Sequence, residues 1–196
     1  MMKIDLSKRD VVEVARCRVA DVSVERLDKS LRSGLRGVDP SVVPALAAVA
    51  ELRDSIPRVD GERIGVIWCG TAYPRRAAEA VRRELQSNGR VSPTSFINAN
   101  AGAAVSICCT KLSLRGPTMT LTMSGSIACR VADLLAAGWL RRRHADHVIM
   151  VVAEFGKRDE IVVDARLLTC SQRTEFPQEA LAEGTSLERE TISVWE

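Results

Sequence analysis

The sequence is poor in aromatic residues, in lysine and in long hydrophobic runs. It has three Phe, three Trp and one Tyr among 196 residues, and 23 of its 28 basic residues are Arg. With a net charge of only +3 and so few rings to stack on bases, we expect no nucleic-acid partner. No uninterrupted apolar stretch approaches the ~18 to 20 residues of a membrane span, and residues 1–10 have no signal-peptide core. We therefore expect a cytoplasmic protein without a membrane partner.

Cysteine pairs of the CxxC type are also absent, although the chain has six cysteines. Most of them lie in apolar segments, so they are interpreted as reduced, buried thiols rather than disulfides. Cys108 and Cys109 are adjacent and no further ligand completes a four-residue set, so no metal site is expected. The sequence also has no Gly-rich phosphate loop, and no cofactor is expected.

Hydrophobic periodicity predicts alternating strands and helices. Short apolar runs predict strands over 63–70, 118–123 and 147–153, an edge strand over 10–21 and a last strand within 185–195. Apolar residues at helical spacing, or polar and small-residue runs, predict helices over 23–34, 45–52, 74–86, 101–111 and 124–143. The segment 91–100 is interpreted as a loop. This alternation predicts an α/β fold with a helix-flanked, mostly parallel sheet.

One domain over residues 1–196 is expected, because the length suits a single core and no linker or repeat is visible. The composition turns polar after Glu154, and residues 155–184 are interpreted as a long surface loop.

Five segments, taken in order, resemble the N-terminal half of a β-ketoacyl synthase of the thiolase-like superfamily. They are RIGVIWCGTA (63–72), SPTSFINANAGAAVSI (92–107), LRGPTMTLTMSGS (114–126), ADHVIMVVAE (145–154) and LAEGTS (181–186). The resemblance extends from about Asp39 to the C-terminus. It implies a layered α-β-α half-fold with a mixed sheet and a buried central helix that begins near Ser126.

The start of that helix is where the resemblance places the nucleophile. A side chain in the first turn of a helix faces unpaired N–H groups and the positive end of the helix dipole, which stabilise a thiolate or an oxyanion. In the family the nucleophilic cysteine follows the glycine of a Gly-Pro pair by nine residues. Counting from Gly116 leads to Gly125, which has no side chain to acylate. No catalytic residue is therefore expected at this position.

Three neighbouring side chains remain as alternatives. Ser124 and Ser126 carry hydroxyl groups, but an unassisted serine is a poor nucleophile, and either residue could instead cap the helix. Cys129 lies one turn further along, where the N–H groups are already bonded within the helix, and is interpreted as a packed thiol. The resemblance places the catalytic histidines of the family in a C-terminal half that these segments do not include.

Two surfaces are candidates for contacts with other chains. Arg141, Arg142 and Arg143 either complement the negative end of the helix or bind an acidic acyl carrier protein. The resemblance implies that the strand after Gly-Pro pairs across a dimer. The residues of that dimer edge are Thr118, Met119, Thr120, Leu121, Thr122 and Met123.

Three functions follow from this sequence. The first is a catalytically silent, ketosynthase-like protein of fatty acid or polyketide biosynthesis that resembles a chain length factor. Its partners would be a ketosynthase, an acyl carrier protein or both. The second is a small acyltransferase or thioester hydrolase that uses Ser124, Ser126 or Cys129. The third is a purely structural homodimer.

Overall fold

The computed structural model describes residues 10–20, 22–35, 37–56, 61–70, 74–123, 125–156 and 160–171. The strand predicted within 185–195 and the segment 181–186 lie outside the described residues.

Five strands form one mixed sheet in the order β1-β5-β4-β2-β3. Their bounds are β1 Val11–Ala20, β2 Ile64–Cys69, β3 Thr118–Leu121, β4 His147–Phe155 and β5 Ile161–Cys170. Strand β2 pairs parallel with β3 and β4, whereas β5 runs antiparallel to both β4 and β1. Four of the five strands therefore point the same way, as the α/β prediction requires, and the predicted edge strand is confirmed as β1.

Six α-helices are described together with two single-turn 3₁₀ helices. Their bounds are α1 Lys29–Arg32, α2 Val42–Asp54, α3 Arg75–Asn88, α4 Pro93–Asn98, α5 Ala103–Leu112 and α6 Gly125–Arg141. The 3₁₀ turns are Val24–Arg26 and Gly61–Arg63.

The sheet separates two hydrophobic cores. On one face the buried side chains of α2 and α5 pack against the sheet, and on the other face α6 packs against β2 and β4. All six residues of β2 are buried, because helices cover both faces of this strand and β3 and β4 flank it. This central, fully covered position explains why the sequence of β2 is an uninterrupted apolar run.

Helix α6 buries only one of its faces. Ala128, Ala132, Ala136 and Leu140 recur every four residues and form the buried stripe. On other faces Ile127 is 54% exposed and Leu134 is 75% exposed. The burial expected for this helix is thus confined to the side that meets the sheet.

Two predicted loops are wrong, at least in part. Within 91–100, Pro93–Asn98 forms α4, in which Pro93 stands in the first turn and the Ser92 hydroxyl accepts a hydrogen bond from the Ser95 N–H. Within 155–184, residues Ile161–Cys170 form β5, whereas residues 157–159 and 172–184 lie outside the described residues.

A buried carboxylate joins α2 to α3. Asp39 is 1% exposed, and its Oδ1 accepts hydrogen bonds from the backbone N–H and the hydroxyl of Ser41 at the start of α2. Its Oδ2 accepts from the N–H of Ala77, 2.9 Å away in the first turn of α3. Pro74, which precedes α3, supplies no side-chain cap, so Asp39 takes that role from 38 residues away.

Candidate functional site

The first turn of α6 has no side chain at its first residue. Gly125 begins the helix with a φ of +32°, a region that favours glycine. A Cβ atom built on Gly125 would lie 3.5 Å from Oε1 of Glu154 at the end of β4. The carboxylate of Glu154 therefore stands beside the helix start, and this first position offers no nucleophilic atom.

Of the two serines next to Gly125, the structure describes only Ser126. Ser126 is exposed and is the second residue of α6, so it does not stand at the N-cap position. The cap was predicted at Ser124 or Ser126, and for Ser124 it stays a prediction. Ser124 lies outside the described residues.

The thiol of Cys129 is not activated. Burial raises the pKa of Cys129, and the carboxylates of Asp133 and Glu154 add to that increase, whereas Arg166 opposes it. The neighbouring thiol of Cys69 is fully buried on β2, and burial raises its pKa to about 12. Both groups therefore remain protonated at neutral pH, which is unfavourable for nucleophilic attack.

No histidine approaches this helix start. His144 and His147 follow the C-terminal end of α6, and a helix of 17 residues separates them from Gly125 by about 25 Å. A serine or cysteine in the first turn would consequently have no imidazole base from this chain.

A cavity of about 500 Å³ lies between α6 and the β4-β5-β1 part of the sheet. Charged side chains line most of it, and they are Arg16, Arg18, Asp133, Glu154, Asp164 and Arg166. Arg16 donates two hydrogen bonds to Asp164, at 2.9 and 2.7 Å, and Arg166 donates one to Asp133 at 3.0 Å. These pairs neutralise most of the charge and tie β5 to both β1 and α6.

Among the described residues, strand β3 ends the sheet and its outer edge has no partner strand. The backbone N–H of Val66 bonds the carbonyl of Pro117, and the N–H of Gly70 bonds that of Leu121. In a parallel ladder the residues that bond to one neighbour alternate along the strand, so Thr118 and Thr120 direct their backbone groups to the open edge. Met119 is 39% exposed beside them. Of the predicted dimer edge, Thr122 and Met123 lie beyond the end of the strand.

A groove of about 600 Å³ runs alongside this edge, between α5 and β3. Ser106, Cys109 and Thr110 of α5 line one wall, and Thr118 and Thr120 of β3 line the other. No motif in the sequence predicts this groove. The small residues of the segment that forms α5 are the feature of the sequence that could have indicated it, because small side chains leave room beside β3.

The three consecutive arginines predicted to bind a carrier lie at the far end of α6. Arg141 is the last helical residue, Arg142 and Arg143 follow it, and all three are exposed. Positive side chains here complement the negative end of the helix dipole.

Among the described residues, no group of three or more His, Cys, Asp or Glu side chains is arranged to hold a metal ion. No helix in the described ranges is long and apolar enough to cross a membrane.

Comparison with known proteins finds similarity in structure only. No protein-family model matches the sequence, and neither does any curated protein. Among solved structures, a chain of the complex between the ketosynthase ApeO and its chain length factor ApeC from Xenorhabdus doucetiae superposes with a TM-score of 0.58 and 13% identity. The alignment covers 81% of this chain and 78% of that chain.

Two further structures are similar to the same extent. The ishigamide ketosynthase/chain length factor gives a TM-score of 0.60 at 18% identity, covering 78% of this chain and 50% of that one. The AntDE:AntF complex, a type II polyketide synthase acyl carrier protein with its ketosynthase, gives 0.58 at 13% identity, covering 76% and 51%. The aligned part therefore spans about half the length of these two chains. The protein has the thiolase-like α/β fold of ketosynthases and chain length factors.

Proposed function

We propose that this protein is a non-condensing, chain-length-factor-like subunit that pairs with a ketosynthase in polyketide or fatty acid biosynthesis. The observation that carries the proposal is Gly125 at the start of α6, where the sequence resemblance places a nucleophilic cysteine. The fold supports the assignment to ketosynthase-like proteins, and the open edge of β3 supports pairing with another chain.

The chemistry around Gly125 favours a silent subunit over an acyltransferase or hydrolase. Covalent catalysis needs an activated nucleophile and a base within hydrogen-bond reach. Cys129 is one turn away with a raised pKa, and both histidines are at the other end of the helix. Glu154 beside Gly125 places negative charge where an oxyanion would have to be stabilised.

The edge of β3 supports a partner strand. Within the described ranges no strand pairs with the outward backbone groups of Thr118 and Thr120, and Met119 adds an exposed apolar side chain. An open edge of this kind pairs readily with another strand unless it is covered. A ketosynthase subunit paired here would bring its own surface against the groove between α5 and β3. The groove would then become part of a cavity at the interface, where this chain limits the length of the acyl product.

The first test is co-expression with a ketosynthase of the same biosynthetic assembly, followed by size and mass analysis. We expect a one-to-one heterodimer that extends an acyl chain, and we expect the isolated chain to remain unmodified after incubation with an acyl thioester. An acyl adduct on the isolated chain that disappears in Cys129→Ser would support the acyltransferase alternative. A homodimer that never incorporates the ketosynthase would support the structural alternative.

The second test removes one backbone donor from the open edge. In Thr120→Pro we expect the chain to fold but the heterodimer to dissociate, with at least a tenfold loss in affinity by analytical ultracentrifugation. The reason is that proline is tolerated at an edge position whose N–H does not bond within the sheet, yet it cannot donate to a partner strand.

The matched control is Thr120→Val, which removes the hydroxyl and keeps the N–H. It should retain the heterodimer. Equal affinities for the proline and wild-type chains would refute pairing through β3.

A further inference from the structure

The hairpin surface, formed by α3 and α4 over residues 75–98, contributes no buried side chain to the described structure. Three of its apolar residues are instead strongly exposed: Leu85 at 53%, Phe96 at 69% and Ile97 at 62%. Isolated exposed apolar residues need no explanation, but three on one short hairpin are typical of a contact surface. The hairpin surface is therefore suited to a contact that the described residues do not make.

The hairpin surface is also basic. Residues 75–98 contain five arginines and two glutamates, a formal charge of +3. Glu79 pairs with Arg75. Three further arginines are exposed and form no ion pair among the described residues: Arg82, Arg83 and Arg90. A partner that fits this surface carries carboxylates together with apolar side chains.

A segment of that composition is present in the same chain, in residues 172–196, which follow the described part of the structure. It contains six glutamates and two arginines, a formal charge of −4. Residues 187–196 also include four apolar side chains: Leu187, Ile192, Val194 and Trp195. The segment thus combines negative charge with apolar side chains, as the hairpin surface combines positive charge with them.

The segment is long enough to reach the hairpin surface. The N–H of Ser171 bonds the carbonyl of Asp10, so the chain leaves the sheet at the end of β5. The hairpin lies at the other end of β5, because Phe155 pairs with the first residue of β5 and lies 5.1 Å from the guanidinium of Arg75. The ten residues of β5 span about 33 Å, and about ten extended residues after Ser171 cover that distance. Residues 182–196 then remain to contact the hairpin surface.

Charge and spacing favour this surface over the outward face of α6. Residues 182–196 contain four glutamates and one arginine, a formal charge of −3 that balances the +3 of the hairpin. Over residues 125–141, α6 has two arginines and one aspartate, a formal charge of +1. On α3, Arg82 and Leu85 are three residues apart and share one helical face. The arginines that end α6 are two turns away from its exposed Leu134.

We propose that residues 182–196 bind the hairpin surface of their own chain. Glu188 and Glu190 pair with the exposed arginines of α3, and the apolar side chains that follow pack against Leu85, Phe96 and Ile97. Exposed ion pairs are individually weak, but a tethered segment has an effective concentration in the millimolar range, so a few such contacts suffice. The bound segment closes the hairpin surface to other acidic chains, and high ionic strength releases it by screening the ion pairs.

The test measures backbone amide order parameters of residues 187–195 by NMR relaxation in the full chain at low ionic strength. In the wild-type chain we expect values of about 0.8, and in Arg82→Glu/Arg83→Glu values below about 0.6. The matched control, Arg142→Glu/Arg143→Glu, changes the net charge equally and should keep the values of the wild-type chain. Addition of Glu188→Arg/Glu190→Arg to the hairpin variant exchanges the charges and should restore the order parameters.

Order parameters below about 0.6 in the wild-type chain would overturn the inference, and so would values that the hairpin reversal leaves unchanged. An equal loss in the control would place the segment at the end of α6. Order parameters that rise with protein concentration would assign the contact to a second copy instead of the same chain. The measurement uses the isolated chain, so its outcome is independent of whether a ketosynthase pairs through β3.

Discussion

At the start of α6, one missing side chain decides what chemistry is available. Gly125 occupies the position at which a nucleophile would face the helix dipole, and its φ of +32° suits glycine. The nearest thiol, Cys129, is kept protonated by burial and by adjacent carboxylates. These observations at single residues support the proposal of a non-condensing subunit.

His147 makes stability depend on pH. Burial lowers its pKa, and its Nδ1 is buried with no hydrogen-bond partner among the described residues. Between about pH 7 and pH 5 the unfolded chain binds a proton at this residue before the folded chain does, because an unperturbed histidine has a pKa of about 6.5. The free energy of unfolding, measured by urea denaturation, should therefore fall as the pH decreases through this range.

Variants of the two histidines separate this effect from other titrations. His147→Gln should flatten the decrease, whereas His144→Gln, at an exposed position, should retain it. Since the chain has only these two histidines, a slope that survives in His147→Gln would contradict the assignment.

Helix α3 depends on a contact from outside its own segment. Its first turn has no local side-chain cap, and the Asp39 carboxylate supplies the acceptor for Ala77 while it also orders the start of α2. Strand β3 shows the opposite dependence, because its backbone groups at one edge have no neighbouring strand in the described residues. Helix α3 is thus capped by a residue of the same chain, whereas β3 leaves backbone groups to which a partner strand could bond.

Removal of the Asp39 carboxylate should loosen both helices. In Asp39→Ala the N–H groups of Ser41 and Ala77 lose their acceptor, and we expect the free energy of unfolding to fall by about 2 kcal/mol. Amide hydrogen exchange at Ala77 should accelerate more than exchange in α6.

The control is Asp39→Asn, which keeps one acceptor oxygen and should lose less stability than the alanine variant. Unchanged exchange at Ala77 in Asp39→Ala would contradict the role of this carboxylate as a cap.

On the scale of the whole molecule, the sheet is covered unevenly. Helices α2 and α5 bury one face, whereas on the other face α6 covers β2 and β4 and leaves a charged cavity over β5 and β1. The solvent side of α6 carries Ile127 and Leu134. The proposed function requires such a surface, because a subunit that pairs with another chain must leave part of its own surface accessible.

Polar substitutions on the two sides of α6 should have different effects. Ile127→Gln/Leu134→Gln should change the free energy of unfolding by about 1 kcal/mol or less, because both side chains are exposed, and should reduce self-association in sedimentation velocity. Ala132→Gln on the buried stripe should destabilise by about 1 to 3 kcal/mol through overpacking. A large loss in the free energy of unfolding of the double variant would contradict the exposure of Ile127 and Leu134 in the isolated chain.

Much of the candidate site follows from the order of residues along the chain. Gly125 is identified by its distance from Gly116, and the apolar runs of β2 and β4 identify the strands that support α6. Fully buried strands leave continuous apolar runs and amphipathic helices leave periodic ones, because burial acts on each residue individually. By itself, then, the sequence determined the alternation of elements, the glycine at the start of α6 and the edge strand after Gly-Pro.

Only the tertiary structure decided how distant residues complete one another. Strand β5 was unrecognisable as a strand because Asp164 and Arg166 interrupt its apolar run, and they are accommodated only through Arg16 and Asp133. The cap that Asp39 provides for α3 and the groove between α5 and β3 are likewise set by three-dimensional packing. The physical reason is that hydrogen bonds, ion pairs and grooves form between segments far apart in the chain, so no local pattern encodes them.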